Sequence, residues 1–224
     1  MRTVLTLIKK DACGLRAVSK ADKSVYLTVK RWFDVGFSIL LLIAFSPLML
    51  AAAVAIRVSS PGPVIYRHRR VGKQGRPIEI LKFRTMVNHA DEMLNLFTQE
   101  QQQEWERNFK VVHDPRVTGI GRLLRAASLD ELPQLINVIR GDLSLVGPRP
   151  IVPEELALYG KNGARLLSVT PGLTGYWQVY ARQGCTYSQR MKMELDYVEN
   201  MNPGWDIRIL LQTVPRVIRG KGAK

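Results

Sequence analysis

The stretch Ser128-Leu-Asp130-Glu131-Leu-Pro133 puts two adjacent carboxylates where a helix is expected to begin. Two readings fit it. In the first, Asp130 is an N-cap with Pro133 in the first turn, or Ser128 and Glu131 form a reciprocal capping box. In the second, the pair does chemistry. An aspartate facing the free N–H groups of a helix start stays ionised and can serve as nucleophile or metal ligand. The same N–H groups can hold a phosphate. Neighbouring carboxylates attract a hard cation such as Mg2+, which takes one or two carboxylates plus phosphate oxygens. Arginines crowd the stretch: Arg116, Arg122, Arg125, Arg140 and Arg149. Their guanidinium fork suits phosphate. Carboxylates, a hard cation and arginines are the components of phosphoryl transfer.

Other motifs carry less. Gly119-Ile-Gly121 lacks the third glycine of a dinucleotide fingerprint, and no Walker A sequence occurs. His68, His89 and His113 have no metal-ligand spacing and read as surface or loop residues. Cys13 and Cys185 lie too far apart for a disulfide scaffold or zinc site. The basic run Arg67–Arg76 is either a lipid-headgroup patch or a solvated hairpin tip.

These residues need elements to hold them. Val64–Tyr66 and Ile78–Phe83 read as short strands joined by the basic turn HRRVGKQGRP. Residues 89–109 read as an exposed polar helix. Helices are expected over Ile120–Ala127, over Leu132–Arg140 (closed by Gly141), over Glu154–Tyr159 and over Gln189–Asn200. Val146–Pro150 reads as an extended loop. The C-terminal stretch from Asp206 has apolar residues at helical spacing with basic residues between them. That pattern suits either a membrane interface or a helix packed on the core.

The chain has 224 residues and a net charge of +14, which favours an anionic partner such as nucleic acid, lipid headgroups or phosphate-bearing substrates. An apolar share of 46% excludes wholesale disorder. From Val35 to Ile56 no residue is charged. Such a run spans roughly 33 Å as a straight helix, enough for a bilayer core. The residues before it do not read as a secretory n-region. Pro47, after Ser46, sits mid-run and removes a helical hydrogen bond. Residues 1–34 carry eight Lys/Arg against three Asp, and 57–84 carry eight against one Glu. Both flanks therefore favour the cytoplasmic side, which a re-entrant helix satisfies and a span does not. A proline-kinked span remains the equal alternative from these residues alone.

The sequence resembles the bacterial sugar transferase family, monotopic polyprenyl-phosphate sugar-1-phosphate transferases. The residues that carry the likeness are Lys30-Arg-Trp-Phe-Asp34, Ser46-Pro47, Pro61-Gly-Pro63, Lys82-Phe-Arg-Thr-Met86 and Asp114-Pro-Arg-Val-Thr118. They continue with the block Ser128–Pro150, Pro171-Gly-Leu-Thr-Gly-Tyr-Trp-Gln178 and Tyr197-Val198. The layout is similar to galactose-phosphate transferases of exopolysaccharide synthesis. The resemblance implies a mainly α fold with a small β component. It divides the chain into a basic tail (1–27), a re-entrant membrane helix (28–60) broken at Ser46-Pro47, and a cytoplasmic catalytic domain (61–224) with interfacial amphipathic helices.

The implied activity is transfer of a sugar-1-phosphate from a UDP-sugar to undecaprenyl phosphate, with release of UMP. It would occur at the cytoplasmic face of the bacterial inner membrane. Asp130 matches the family's nucleophile and Glu131 its dyad partner, the two holding Mg2+. Lys82, Arg84, Thr85, Arg125 and Arg149 match positions that line the phosphate site. Gln178 and Arg182 fall where the nucleotide is contacted. Tyr176, and Tyr180-Ala-Arg182, depart from the family pattern and bear on nucleotide or sugar fit. Implied partners are the two substrates, membrane lipids, a second copy of the chain and downstream glycosyltransferases, with no nucleic acid. The alternative is a non-catalytic membrane scaffold in which the carboxylates only cap a helix.

Overall fold

The computed structural model describes residues 20–90, 92–93, 97–102, 111, 114–181 and 185–218. The helices are α1 (Lys20–Ser59), α2 (Gly119–Ala126), α3 (Gln134–Arg140), α4 (Pro153–Tyr159), α5 (Gly163–Leu166), α6 (Tyr176–Tyr180), α7 (Tyr187–Asn200) and α8 (Pro203–Ile218). The strands β1 (Ile65–Val71) and β2 (Pro77–Phe83) form an antiparallel hairpin, and β3 (Ser144–Val146) pairs in parallel with β4 (Gly172–Thr174). The expected polar helix over 89–109 falls largely outside the described residues, with 99–102 helical.

Helix α1 is long because nothing in it stops a helix until Ser59. It starts at Lys20, not at 28, so residues 20–27 belong to the helix and not to the expected tail. It also runs through Ser46-Pro47 without the expected break. Pro47 has no N–H to offer the Ile43 carbonyl, and Ser46 Oγ donates to that carbonyl instead at 2.8 Å. The side chain thus satisfies the group that proline frees.

One stripe of α1 is tied down by Lys30-Arg-Trp-Phe-Asp34. Lys30 Nζ pairs with Asp206 Oδ2 at 2.6 Å, beside the Tyr26 hydroxyl, which donates to the same oxygen at 2.7 Å. Arg31 donates to the Val138 and Ile139 carbonyls at the end of α3, groups a helix cannot satisfy for itself. Asp34 accepts from Ser144 Oγ at 2.6 Å and from the Leu145 N–H at 3.3 Å. Trp32 and Phe33 point outward, 75% and 50% exposed. Further along, Ala52 and Ile56 pack with Phe83 and Leu124. Both ends of α1 therefore rest on the same domain, while Leu40, Ile43, Leu50, Val54 and Val58 stay exposed.

The hairpin is longer than its apolar pattern suggests. The basic residues His68–Arg70 belong to β1, not to the turn, because they pair with Ile78–Ile80 of β2. The chain reverses through Gln74 and Gly75, both at positive φ. Asn137 closes the free edge of β2: its Oδ1 accepts the Leu81 N–H at 2.9 Å, and its Nδ2 donates to the Glu79 carbonyl at 2.7 Å. Helix α3 ends at Gly141 (φ +91), as expected. Strands β3 and β4, three residues each, are too short to show a period and were read as loop. Gly147 and Gly172 let them cross, since a Cβ on Gly172 would lie 2.1 Å from the Gly147 nitrogen. Helix α8 combines both expectations for the C-terminus. Ile209 is buried in the core, while Ile207, Leu211, Val214 and Val217 are exposed.

Candidate active site

The carboxylate pair is not a helix cap. Ser128 is left-handed (φ 56) and makes no capping bond. Asp130 and Glu131 sit in a single 3-10 turn, and α3 begins only at Gln134, after Pro133. The strained Ser128 lifts this turn out of the line joining α2 to α3, leaving both carboxylates without a structural task.

Their surroundings are cationic. Lys82, on the last turnward rung of β2, pairs with Glu131 Oε1 at 3.0 Å. Arg125, near the end of α2, lies close enough to Asp130 for the two charges to interact. Arg125 is aimed by Thr85, whose Oγ1 accepts its Nε at 2.9 Å. Helix α2 can approach Thr85 this closely because residue 121 is glycine, where a Cβ would stand 2.0 Å from the Thr85 carbonyl oxygen. The second glycine of Gly119-Ile-Gly121 is thus a packing requirement. Thr118 caps α2 by accepting the Gly121 N–H at 2.9 Å.

Asp130 is partly buried, and burial, then the neighbouring Glu131, push its carboxyl up to about 6. This corrects the expectation that a helix N-terminus keeps it ionised: no helix starts at Asp130. At neutral pH it is still mostly charged, and its like-charged neighbour favours a bound cation. Among the described residues no third His, Cys, Asp or Glu joins the two carboxylates. Two carboxylates with room for substrate oxygens is the donor set Mg2+ uses beside phosphates, so the residues fit that ion.

An open cleft of about 370 Å3 lies against this turn. Lys82, Glu131, Arg149 and Gln178, four of the expected site residues, line it together with His68 and Arg70. Gln178 donates from Nε2 to the Leu173 carbonyl at 3.1 Å, and its buried Oε1 has no partner among the described residues. The Arg149 N–H donates to Glu194 Oε2 at 3.0 Å, and its guanidinium lies 5.9 Å from the Trp177 ring centre. Glu194 is fully enclosed, which pushes its carboxyl up to about 7.

Other expected residues are placed elsewhere. Arg84 is buried and donates to the Pro61 carbonyl at 2.7 Å and the Ser60 carbonyl at 2.8 Å. It fastens the end of α1 to the hairpin and does not line the cleft. Arg116 forms a buried pair with Asp114 at 2.6 Å, so Asp114-Pro-Arg116 is an internal brace. Arg122 and Arg140 are exposed. Tyr176 packs against Trp205 at 5.0 Å, in the core and not against the cleft. Arg182 lies outside the described residues.

His68, Arg70, Glu194 and Trp177 were missed as individual site residues. The hairpin register could have found the first two, since Tyr66, His68 and Arg70 share a face with Lys82. Nothing in the sequence pairs Glu194 with the Arg149 backbone, 45 residues away.

Residues 25–220 match the model of the bacterial sugar transferase family, and the chain belongs to that family. It is therefore a transferase by class. The exopolysaccharide production protein ExoY of Sinorhizobium fredii is 43% identical over 197 residues, 87% of each chain. The undecaprenyl-phosphate galactose phosphotransferase of Salmonella typhimurium is 44% identical over 212 residues, 93% of this chain but 44% of that protein. A UDP-glucose:undecaprenyl-phosphate glucose-1-phosphate transferase of Caulobacter vibrioides is 42% identical over 84% of this chain and 69% of its own.

Proposed function

We propose that the protein transfers a sugar-1-phosphate from a UDP-sugar to undecaprenyl phosphate, releasing UMP, as the first membrane step of exopolysaccharide or other surface-glycan assembly. The observation that carries this is the Asp130–Glu131 turn. Its carboxylates cap no helix, stand beside Lys82 and Arg125, and adjoin a cleft lined by further cations. The activities named for the relatives point the same way.

In the proposed reaction an Asp130 oxygen attacks the β-phosphorus of the UDP-sugar. The bond from that phosphorus to the bridging oxygen breaks, and UMP leaves with the electron pair. A phosphate oxygen of undecaprenyl phosphate then attacks the sugar-phosphoryl aspartate, breaking the acyl phosphate bond and restoring Asp130. Two displacements replace one difficult transfer. Lys82 and Arg125 offset negative charge on the transferring group, and Thr85 holds Arg125 in position. A Mg2+ ion held by Asp130 and Glu131 would add charge neutralisation on the substrate phosphates.

The proposed location is the cytoplasmic face of the bacterial inner membrane, with α1 entering and leaving one leaflet. Support comes from the docking of both ends of α1 on one domain and from its apolar outer stripe, alongside that of α8. This arrangement would hold the dyad at headgroup level, where a lipid phosphate is presented.

The test is UMP release by the purified protein in nanodiscs with Mg2+, undecaprenyl phosphate and a panel of UDP-sugars. Release from one sugar, dependent on both lipid and Asp130, is expected. Release without lipid phosphate would make the protein a hydrolase. No release from any sugar by the folded protein would revive the scaffold reading.

A further inference from the structure

Arg70 is a cleft residue that the mechanism above leaves unused. It stands four residues along β1 from the Tyr66–Lys82 rung, roughly 13 Å at strand spacing, yet it lines the same cleft. Its guanidinium is partly buried, with Arg149 and Arg190 as like-charged neighbours and Glu155 as the opposing carboxylate. Glu155 is already paired with Arg190 at 3.3 Å. Among the described residues Arg70 makes no ion pair of its own, and its contact with His68 Nδ1 is long, at 3.5 Å. Burial and the proximity of Arg149 hold Arg70 down to about 10, still charged at neutral pH. Two guanidinium groups converging away from bulk water are costly unless an anion completes them.

Arg149 is held ready on the other wall. Its backbone is fixed by Glu194, and its guanidinium lies over Trp177, whose opposite neighbour is Arg190 at 4.8 Å. The position of this pair also separates it from the membrane helix. The apolar clusters that include Phe83, Leu124 and Ile80 contain residues of α1. The cluster beneath the Arg70 end, built on Val71, Ile151, Tyr159 and Leu166, contains none. An anion reaching Arg70 arrives on the side of the cleft away from the apolar helix.

We propose that Arg70 and Arg149 form a second anion subsite, separate from Lys82 and Arg125, that holds the phosphate of the soluble nucleotide, the group that leaves as the nucleoside monophosphate. This rests on the transferase reading. It assigns the two ends of the cleft different phosphates: the nucleotide phosphate at Arg70, the transferring phosphate at Asp130.

The experiment compares Arg70→Gln and Arg70→Lys with wild type in nanodiscs. Arg165→Gln, which breaks an exposed pair with Glu199, serves as the charge-matched control. UDP-sugar and undecaprenyl phosphate are varied separately, and UMP binding is measured by calorimetry without lipid acceptor. Arg70→Gln should weaken UMP binding and raise KM for UDP-sugar by about 10- to 100-fold, the worth of a charge-assisted contact. KM for undecaprenyl phosphate should not change. Arg70→Lys should recover part of the loss, because it restores the charge without the fork. Should the Gln variant melt early, the Lys variant carries the comparison. Unchanged UMP binding in a folded variant overturns the subsite, as does a KM rise confined to undecaprenyl phosphate. A wild type that binds UMP through Arg70 but never turns over would keep the subsite and sink the transferase reading.

Discussion

Asp130→Asn should make the protein more stable while removing its activity. Burial and Glu131 raise the Asp130 carboxyl from 3.8 to about 6. Above pH 6 the group is charged in both the folded and unfolded chain, and the folded chain bears the cost of that burial. A carboxyl displaced so far costs about 3 kcal/mol at neutral pH, and its partial exposure reduces this to about 1–3 kcal/mol. Asparagine has the same shape and no charge, so it relieves the cost. For a chain of this size the gain corresponds to a rise in Tm of about 2–10 °C. The sign reverses on acidification. Because the folded-state pKa is raised, wild-type Asp130 takes up its proton between pH 6 and pH 4, and the wild type recovers the difference there. The variant's advantage should be full at pH 7.5, shrink through pH 6 and vanish near pH 4. The assay is thermal unfolding of both proteins in detergent with EDTA, since a bound cation would stabilise the wild type selectively. A variant less stable than wild type at pH 7.5, or an advantage that ignores pH, would refute the electrostatic reasoning. Activity above a few per cent of wild type would remove Asp130 from the nucleophile's role.

The same displaced carboxyl gives a pH–rate profile: kcat/KM should fall about tenfold per pH unit below pH 6, read from initial UMP release. Gly121→Ala should cut activity strongly and lower Tm, because its Cβ would stand 2.0 Å from the Thr85 oxygen and push away the helix that carries Arg125. A near-normal rate would show that Arg125 tolerates displacement. Asp206→Ala strands buried Lys30 and removes the acceptor for Tyr26 and Tyr197, so a loss of about 3–5 kcal/mol is expected in denaturant unfolding. Ser46→Ala leaves the Ile43 carbonyl without its donor and should cost about 1–2 kcal/mol in nanodiscs, less in detergent that admits water.

What the residues disclose unaided is the chemistry of short range. The Asp130-Glu131 pair, the unbroken apolar run and the glycine that closes α3 are all local patterns, readable because backbone propensity and helical period act over a few residues. The conflict at Ser46-Pro47 was also legible, and so was the remedy of a serine beside the freed carbonyl, though the helix runs on through it. Tertiary structure alone decided which cations serve the carboxylates. Five arginines crowd the central block. Arg125 and Arg149 turn to the site, whereas Arg116 is consumed by Asp114. Arg84, two residues from Lys82, is spent on Ser60 and Pro61, where the chain leaves α1. The hairpin register brought in His68 and Arg70, and helix α7 brought Glu194 to the Arg149 backbone. A guanidinium is chemically the same in all these places. Its task is set by the acceptors within 3 Å of it, and those come from parts of the chain that only folding brings together.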